Sequence, residues 1–271
     1  MRKMLLSVLM IFTMMLTGTA AFGDKTKNEA LVLLGDSIAS GYGLAEYKSG
    51  NNYSAPLSFS NMLGAEFESY RNFAVDGRTS RQLLDALSSP GEEFKTAISE
   101  ADVIVISIGG NDFLKPMISA VKSAAMSDHE LITAIFKGEF KAEMLGEYSQ
   151  RIMNSALDAT RKVDVEQTAD NIRRCVEQIT KINPKAEIIL MTIYDPFSGN
   201  MLLKAVSEVA KERLSILNTK ISALEGENVK VIDVYGAFDG KAAEYTNINR
   251  LDIHPNAEGH NRIYELLKEV L

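Results

Sequence analysis

The chain has 271 residues, of which 46% are hydrophobic and 24% charged, and its mean hydropathy of -0.04 is ordinary for a globular protein. A chain of this length can bury a substantial core within one domain. The net charge of -7 argues against nucleic acid and anionic membrane surfaces as partners. A single cysteine, Cys175, excludes an internal disulfide.

The N terminus has the residue order of a secretory signal. Arg2 and Lys3 precede an apolar run over residues 4–16, and small residues follow it. This run is shorter than the roughly 20 residues that a membrane-spanning helix needs. We therefore expect residues 1–23 to be a signal peptide and residues 24–271 to form one secreted domain. An uncleaved membrane anchor is the alternative.

Apolar and amphipathic segments alternate along the rest of the chain. Continuous apolar runs, such as residues 103–106 and 188–191, are typical of strands buried on both faces. Strands that alternate with helices indicate a parallel sheet with helices on each side. We expect a flavodoxin-like three-layer α/β/α fold with a mainly parallel five-stranded sheet. The strands are expected at 30–34, 70–75, 103–108, 187–192 and 229–234, and helices at 80–87, 166–182, 203–224 and 256–270.

One segment, residues 113–165, is longer than a simple crossover between strands needs. Its mixture of polar and apolar residues is typical of helices. We expect a helical insertion after the third strand, which covers the carboxyl edge of the sheet as a lid or a pocket wall. An insertion that only packs against the rest of the fold, without a functional role, explains the length equally well.

Several residues able to take part in catalysis directly follow predicted strands. Ser37 comes after the first strand, Gly77 after the second and Asn111 after the third. Binding sites of parallel sheets lie at this carboxyl edge, so we expect the three residues to converge. A serine needs a base to become a good nucleophile. Ser37 could otherwise simply cap a helical turn together with Asp36.

The choice of base rests on three histidines. His129 lies between two acidic residues in the insertion, where solvation is expected, and His260 shares a helical face with apolar residues, where packing or local hydrogen bonding is expected. His254 lies on a loop, with Pro255 just before the last helix, and is the base by elimination. Gly77 and Asn111 can donate hydrogen bonds to an oxyanion, which completes the parts of an acyl-transfer site.

These segments, in this order, resemble the sequence blocks of the SGNH or GDSL hydrolases, a family of esterases, lipases, thioesterases and acetylesterases. The resemblance covers residues 30–271. It implies Ser37 as the nucleophile, His254 as the base, and an oxyanion hole made of the Ser37 and Gly77 amides and the Asn111 side chain. The matching blocks are Gly35-Asp36-Ser37-Ile38, residues 72–77, Gly109-Gly110-Asn111-Asp112 and His254-Pro255-Asn256.

The chain departs from the family pattern at the position of the acid. The family's aspartate usually stands three residues before the histidine, where this chain has Leu251, and Asp252 stands two before. Asp252 is the candidate for orienting the imidazole and stabilising its charged form. The Leu251 carbonyl could instead accept the ring proton, or Asp252 could be a surface or capping residue. A secreted binding module on the same scaffold, without activity, is the alternative function.

No cofactor is expected, because side chains and water suffice for this chemistry. Neither a P-loop motif nor Gly-x-Gly-x-x-Gly follows the first strand, and His254 with His260 lacks a third metal ligand. The expected partner is a small-molecule, lipid or glycan ester, with no nucleic acid and no stable membrane span after signal cleavage. The sequence does not indicate the acyl chain or the leaving group.

Overall fold

The five strands of the fold are all parallel and lie in the spatial order β2-β1-β3-β4-β5. The computed structural model describes residues 27–48, 55–127, 142–250 and 252–271. The expected signal segment, His129 and Leu251 lie outside these ranges. The strands are β1 (Lys27–Gly35), β2 (Phe67–Asn72), β3 (Val103–Ser107), β4 (Glu187–Met191) and β5 (Val229–Ile232). The predicted flavodoxin-like sheet is confirmed.

Helices cover both faces of this sheet within the described residues. The helices are α1 (Ser37–Ser40), α2 (Phe59–Gly64), α3 (Ser80–Ser88), α4 (Glu92–Glu100), α5 (Gly110–Met126), α6 (Ala142–Arg161), α7 (Val165–Ile182), α8 (Lys204–Ser222), α9 (Val234–Phe238), α10 (Ala242–Tyr245) and α11 (Ala257–Val270). None of them combines the length and apolar character of a membrane-spanning segment.

Alternate strand residues face opposite layers, which divides the core in two. On β1, Val32 and Leu34 pack with the apolar faces of α3, α4, α7 and α8. Leu31 and Leu33 pack with α2, α9 and α11 on the other face. All five residues of β3 are buried, which explains why its sequence is apolar without alternation.

Strands β3 and β4 end one residue earlier than the sequence predicts, and β2 and β5 end two or three residues earlier, where polar side chains bind the backbone. Asn72 accepts a hydrogen bond from the Ala74 amide at 2.9 Å, and β2 ends at Asn72 rather than at residue 75. Asp233 accepts from the Gly236 amide at 2.9 Å and begins α9, so β5 ends at Ile232 rather than at residue 234. Aspartate and asparagine commonly make such local bonds in place of strand pairing.

Between β3 and β4 the chain forms α5 and α6, followed by α7. Helix α5 begins at Gly110, three residues before the expected insertion, so Asn111 lies in its first turn. Helices α5 and α6 pack against each other, and α6 also packs against α8. This arrangement places α5 directly beside the carboxyl edge of the sheet.

Candidate functional site

Ser37 is held at the carboxyl edge by the end of β1. Asp36 caps α1, and its carboxylate accepts a hydrogen bond from the Ile38 amide at 3.0 Å. The Asp36 amide donates to the Ser107 carbonyl of β3 at 3.2 Å. A Cβ atom at Gly35 would lie 2.3 Å from that same carbonyl oxygen, so only glycine allows the two strands to approach this closely. Ser37 is therefore the first residue of a short helix beginning at the strand end.

His254 contacts Ser37 although 217 residues separate them in the sequence. The Nε2 atom of His254 lies 2.9 Å from the Ser37 Oγ atom, and Nδ1 lies 2.5 Å from the Oδ1 atom of Asp252. An ionised carboxylate can only accept hydrogen bonds, so Nδ1 carries the ring proton and Nε2 is free to accept from the serine. The three predicted residues are thus brought together in a line.

Asp252 reaches the imidazole because the loop turns tightly around its carboxylate. The same Oδ1 atom accepts a hydrogen bond from the His254 backbone amide at 3.1 Å. This local bond bends the chain enough for a residue only two positions away to contact Nδ1. Asp252 therefore occupies the position expected of an acid, whereas Leu251 lies outside the described residues.

The loop that carries His254 is fixed by neighbouring elements. The buried Tyr194 hydroxyl donates to the Ile253 carbonyl at 2.7 Å. Burial raises the pKa of the Tyr194 phenol well above its ordinary value of 10.0, so the hydroxyl keeps the proton that it donates. On the next residue, the His254 carbonyl accepts from the Asn247 amide at 3.0 Å. From the sequence, Tyr194 is predicted only as part of a pocket wall in the turn after β4, because its bond to the Ile253 carbonyl joins residues 59 positions apart and has no local signal.

Gly77 lies in a turn that is tied to the other site elements on both sides. Its φ of +72° favours glycine. The preceding Asp76 accepts from the Ser40 hydroxyl of α1 at 2.6 Å. The following Arg78 presents its carbonyl to the Asn111 side-chain amide at 3.1 Å. These two bonds link the Gly77 turn to α1 and to α5.

Asn111 is buried beside Ser37, with its amide already engaged. Besides the Arg78 carbonyl, its Nδ2 group donates to the Asp36 carboxylate at 3.2 Å. An amide nitrogen has two hydrogens, and both have acceptors here. Donation to an oxyanion therefore requires one of these two bonds to open or be shared.

Asp36 is a buried carboxyl group that the sequence analysis assigned no role beyond capping. Burial raises its pKa from 3.8 to about 7, against the opposing hydrogen bonds from the Ile38 amide and Asn111. The nearby carboxylates of Asp112 and Asp76 raise it further. Asp112 itself accepts two hydrogen bonds from Ser80, at 2.9 and 2.7 Å, and so joins α5 to the start of α3.

His260 is fully buried on α11, as its apolar helical face indicated, but only one of its ring nitrogens is bonded. Nδ1 accepts from the Phe59 amide at 3.3 Å, whereas Nε2 has no hydrogen-bond partner among the described residues. Burial, with a smaller contribution from His254, lowers the pKa of His260 from 6.5 to about 3. The expectation that the ring is packed is met, whereas the hydrogen bond to Nδ1 comes from a residue 201 positions away and is not local.

An apolar cavity is lined by Ile38 and Ile253, the sequence neighbours of Ser37 and His254. Its walls include residues of the insertion, for which the sequence predicts a lid or a pocket wall, and residues of the turn after β4. The other lining residues are Gly110, Phe113, Leu114, Met117, Thr160, Ile193, Tyr194, Pro196, Phe197, Ala210 and Leu214.

Comparison with known proteins agrees with this fold. The GDSL-like Lipase/Acylhydrolase family model matches residues 33–262, so the chain belongs to that family and is a hydrolase of ester bonds. The resemblance inferred from the four sequence blocks is thereby confirmed.

Individual relatives are distant in sequence. The spore germination lipase LipC of Bacillus licheniformis is 25% identical over 236 residues, covering 87% of this chain and 92% of its own. A lipase from a goat rumen metagenome, Lip_vut3, has a TM-score of 0.58 at 23% identity, covering 89% of this chain and 96% of its own. The extracellular lipase of Streptomyces rimosus has a TM-score of 0.60 at 17% identity, covering 90% of this chain and 100% of its own. The structural likenesses establish the fold.

Proposed function

We propose that the protein hydrolyses carboxylic esters through a covalent acyl-enzyme on Ser37. The observation that carries the proposal is the line of contacts from Ser37 Oγ through the His254 ring to Asp252, at 2.9 and 2.5 Å. A serine next to an unprotonated ring nitrogen, with a carboxylate on the other nitrogen, is the arrangement that activates a hydroxyl for attack.

In the first half of the proposed reaction, His254 Nε2 takes the proton of the Ser37 hydroxyl. The Ser37 oxygen forms a bond to the ester carbonyl carbon, and the carbonyl oxygen becomes an oxyanion. The tetrahedral intermediate collapses by breaking the bond to the alcohol oxygen, which receives the proton from His254. Asp252 keeps its charge throughout and stabilises the imidazolium.

In the second half, water replaces the alcohol. His254 takes one proton from the water, whose oxygen bonds to the acyl carbon. The bond between that carbon and the Ser37 oxygen then breaks, His254 returns the proton to Ser37, and a carboxylic acid leaves. The backbone amides of Ser37 and Gly77 are the proposed fixed donors to the oxyanion, and the Asn111 amide becomes the third when it releases the Asp36 carboxylate or the Arg78 carbonyl.

Export is part of the proposal and rests on the N-terminal sequence. Residues 1–23 have the charged, apolar and small-residue order of a signal peptide. Mass spectrometry of protein recovered from the medium of an expressing culture should show a chain that begins near residue 24. Retention of the full chain in the cells would contradict export.

The function is tested by hydrolysis of p-nitrophenyl esters with Ser37→Ala. The variant should lose essentially all activity, because no other hydroxyl contacts the His254 ring nitrogen among the described residues. Ser99→Ala is the matched control, since Ser99 is exposed and its hydroxyl binds only the Thr96 carbonyl. Wild-type rates from Ser37→Ala would refute the proposal, and a folded wild type without ester hydrolysis would favour the binding module.

A further inference from the structure

The apolar cavity described above has the immediate sequence neighbours of the reacting residues in its wall. Ile38 follows Ser37, Ile253 precedes His254, and both line the cavity, which we name the inner lobe. An acyl group bound to the Ser37 oxygen would therefore have the inner lobe directly next to it. Its further walls come from α5, α6, α8 and the turn after β4.

Among the described residues that line the inner lobe, no side-chain hydrogen-bond donor lacks an acceptor. Its two polar side chains are Thr160 and Tyr194. The Thr160 hydroxyl donates to the Ala156 carbonyl at 2.9 Å, and the Tyr194 hydroxyl donates to the Ile253 carbonyl at 2.7 Å. A sugar or another polar acyl group would lose its bonds to water without replacement, whereas a hydrocarbon chain would gain from burial.

A second apolar cavity lies farther along α5 and α6, and we name it the outer lobe. Met117 of α5 and Phe197 of the turn after β4 line both lobes, so the lobes meet at these two side chains. The remaining residues of the outer lobe are Val121, Tyr148, Ser149, Ile152, Met153, Ala156, Leu203 and Val206.

We propose that the two lobes form one binding cleft for an unbranched acyl chain, and that Met117 and Phe197 determine how long a chain it accepts. Short and medium chains end in the inner lobe, and longer chains pass between the two side chains into the outer lobe. Methionine is unbranched and flexible, so Met117 can move aside for a passing chain. The inference rests on the proposed function, because it takes Ser37 as the point of acyl attachment.

This arrangement predicts a break in the dependence of rate on acyl length. While the chain fills the inner lobe, each added methylene should raise kcat/KM by about fourfold, the equivalent of about 0.8 kcal/mol of burial. The gain should become smaller where the chain meets Met117 and Phe197. A panel of p-nitrophenyl esters from acetate to palmitate measures this profile.

Met117→Trp tests the junction. The larger side chain should fill it and lower the preference for palmitate over butanoate at least tenfold. Met126→Trp is the matched control, because Met126 lies on the same helix and is 76% exposed. Circular dichroism checks folding, and Met117→Phe is the second variant if the tryptophan is not accommodated. An acyl-length profile equal to that of Met126→Trp would overturn the inference.

A binding measurement separates this inference from the proposed chemistry. The chain contains no tryptophan, so Phe197→Trp introduces a single tryptophan at the junction, whose fluorescence can be excited selectively over that of the tyrosines. Palmitic acid brominated at its terminal carbon should quench this fluorescence, and Met126→Trp should not be quenched. If the fluorescence is quenched but the protein hydrolyses no ester, the proposed function is refuted and the acyl-binding cleft is still supported. Ester hydrolysis without quenching, and with an unchanged length profile, would refute the cleft alone.

Discussion

Asp252 forms hydrogen bonds to two nitrogens of His254, the ring Nδ1 and the backbone amide. Asp252→Asn should lower kcat by roughly 1,000- to 10,000-fold, because an amide can donate to Nδ1 and so favours the wrong ring tautomer. Steady-state kinetics on a short ester measures the effect. Asp85→Asn is the control, since Asp85 is exposed and paired with Arg81 on α3. A near-normal kcat for Asp252→Asn would show that Asp252 is not part of the catalytic site, which would then consist of Ser37 and His254 alone.

Asn111 donates to the Asp36 carboxylate and to the Arg78 carbonyl. Asn111→Ala should lower kcat by roughly 100- to 1,000-fold with a smaller effect on KM, because the lost donor acts on the transition state. Asn228→Ala is the control, since the Asn228 amide binds only the Pro184 carbonyl, at the exposed surface. A rise in KM at constant kcat would show that Asn111 binds substrate without stabilising the oxyanion.

At the scale of elements, the turn after β4 holds the loop before α11 through a single buried hydrogen bond. Tyr194→Phe removes the donor to the Ile253 carbonyl and leaves that acceptor without its partner. We expect kcat to fall about fivefold and Tm to fall, which follows from a loss of about 1 kcal/mol. Tyr264→Phe is the control, because its hydroxyl contacts Glu66 from the middle of α11. An unchanged kcat with a lowered Tm would make Tyr194 purely structural.

The sequence predicted elements better than it predicted contacts between them. Hydrophobic runs located β1, β3 and β4 closely, because a strand buried on both faces must be apolar, whereas the strand predicted at 70–75 is offset from the largely exposed β2. The early ends of β2 and β5 depend on Asn72 and Asp233 binding nearby amides, which hydrophobic periodicity does not register. The Asn72 bond is an interaction between near neighbours, so a search for turn-forming side chains could have found it.

The same distinction holds within the candidate site. Ordered blocks indicated Ser37, Gly77, Asn111 and His254, because each follows a strand or precedes a helix. The contact of Asp252 with the ring depends on the local bend of one loop. The engagement of Asn111 by Asp36 joins residues 75 positions apart, and no local pattern encodes it.

At the scale of the whole molecule, Asp36 makes folding depend on pH. Its folded-state pKa of about 7 lies above the ordinary 3.8, so the folded protein binds the proton more tightly than the unfolded chain. The ionisation of Asp36 therefore lowers the free energy of unfolding as pH rises from about 4 to 7, by a total on the order of 4 kcal/mol. Urea unfolding of Asp36→Asn should show the variant gaining stability over wild type across that window. A difference that stays constant with pH would contradict this account.

His260 has the opposite effect on the pH dependence of folding. Its folded-state pKa of about 3 lies below the ordinary 6.5, so the unfolded chain binds the proton more tightly. The protein therefore loses stability as pH falls from about 6.5 towards 3. His260→Asn keeps an acceptor for the Phe59 amide and should remove this acid-induced loss. Equal acid sensitivity of variant and wild type in urea unfolding would contradict it.

Covalent labelling most directly tests whether Ser37 is the residue that His254 activates. Wild-type protein treated with a fluorophosphonate should gain one adduct by intact mass spectrometry, and peptide mapping should locate it on Ser37. His254→Ala should label far more slowly although its serine is intact, because the base is gone. An adduct on another residue, or equally fast labelling of His254→Ala, would contradict the account.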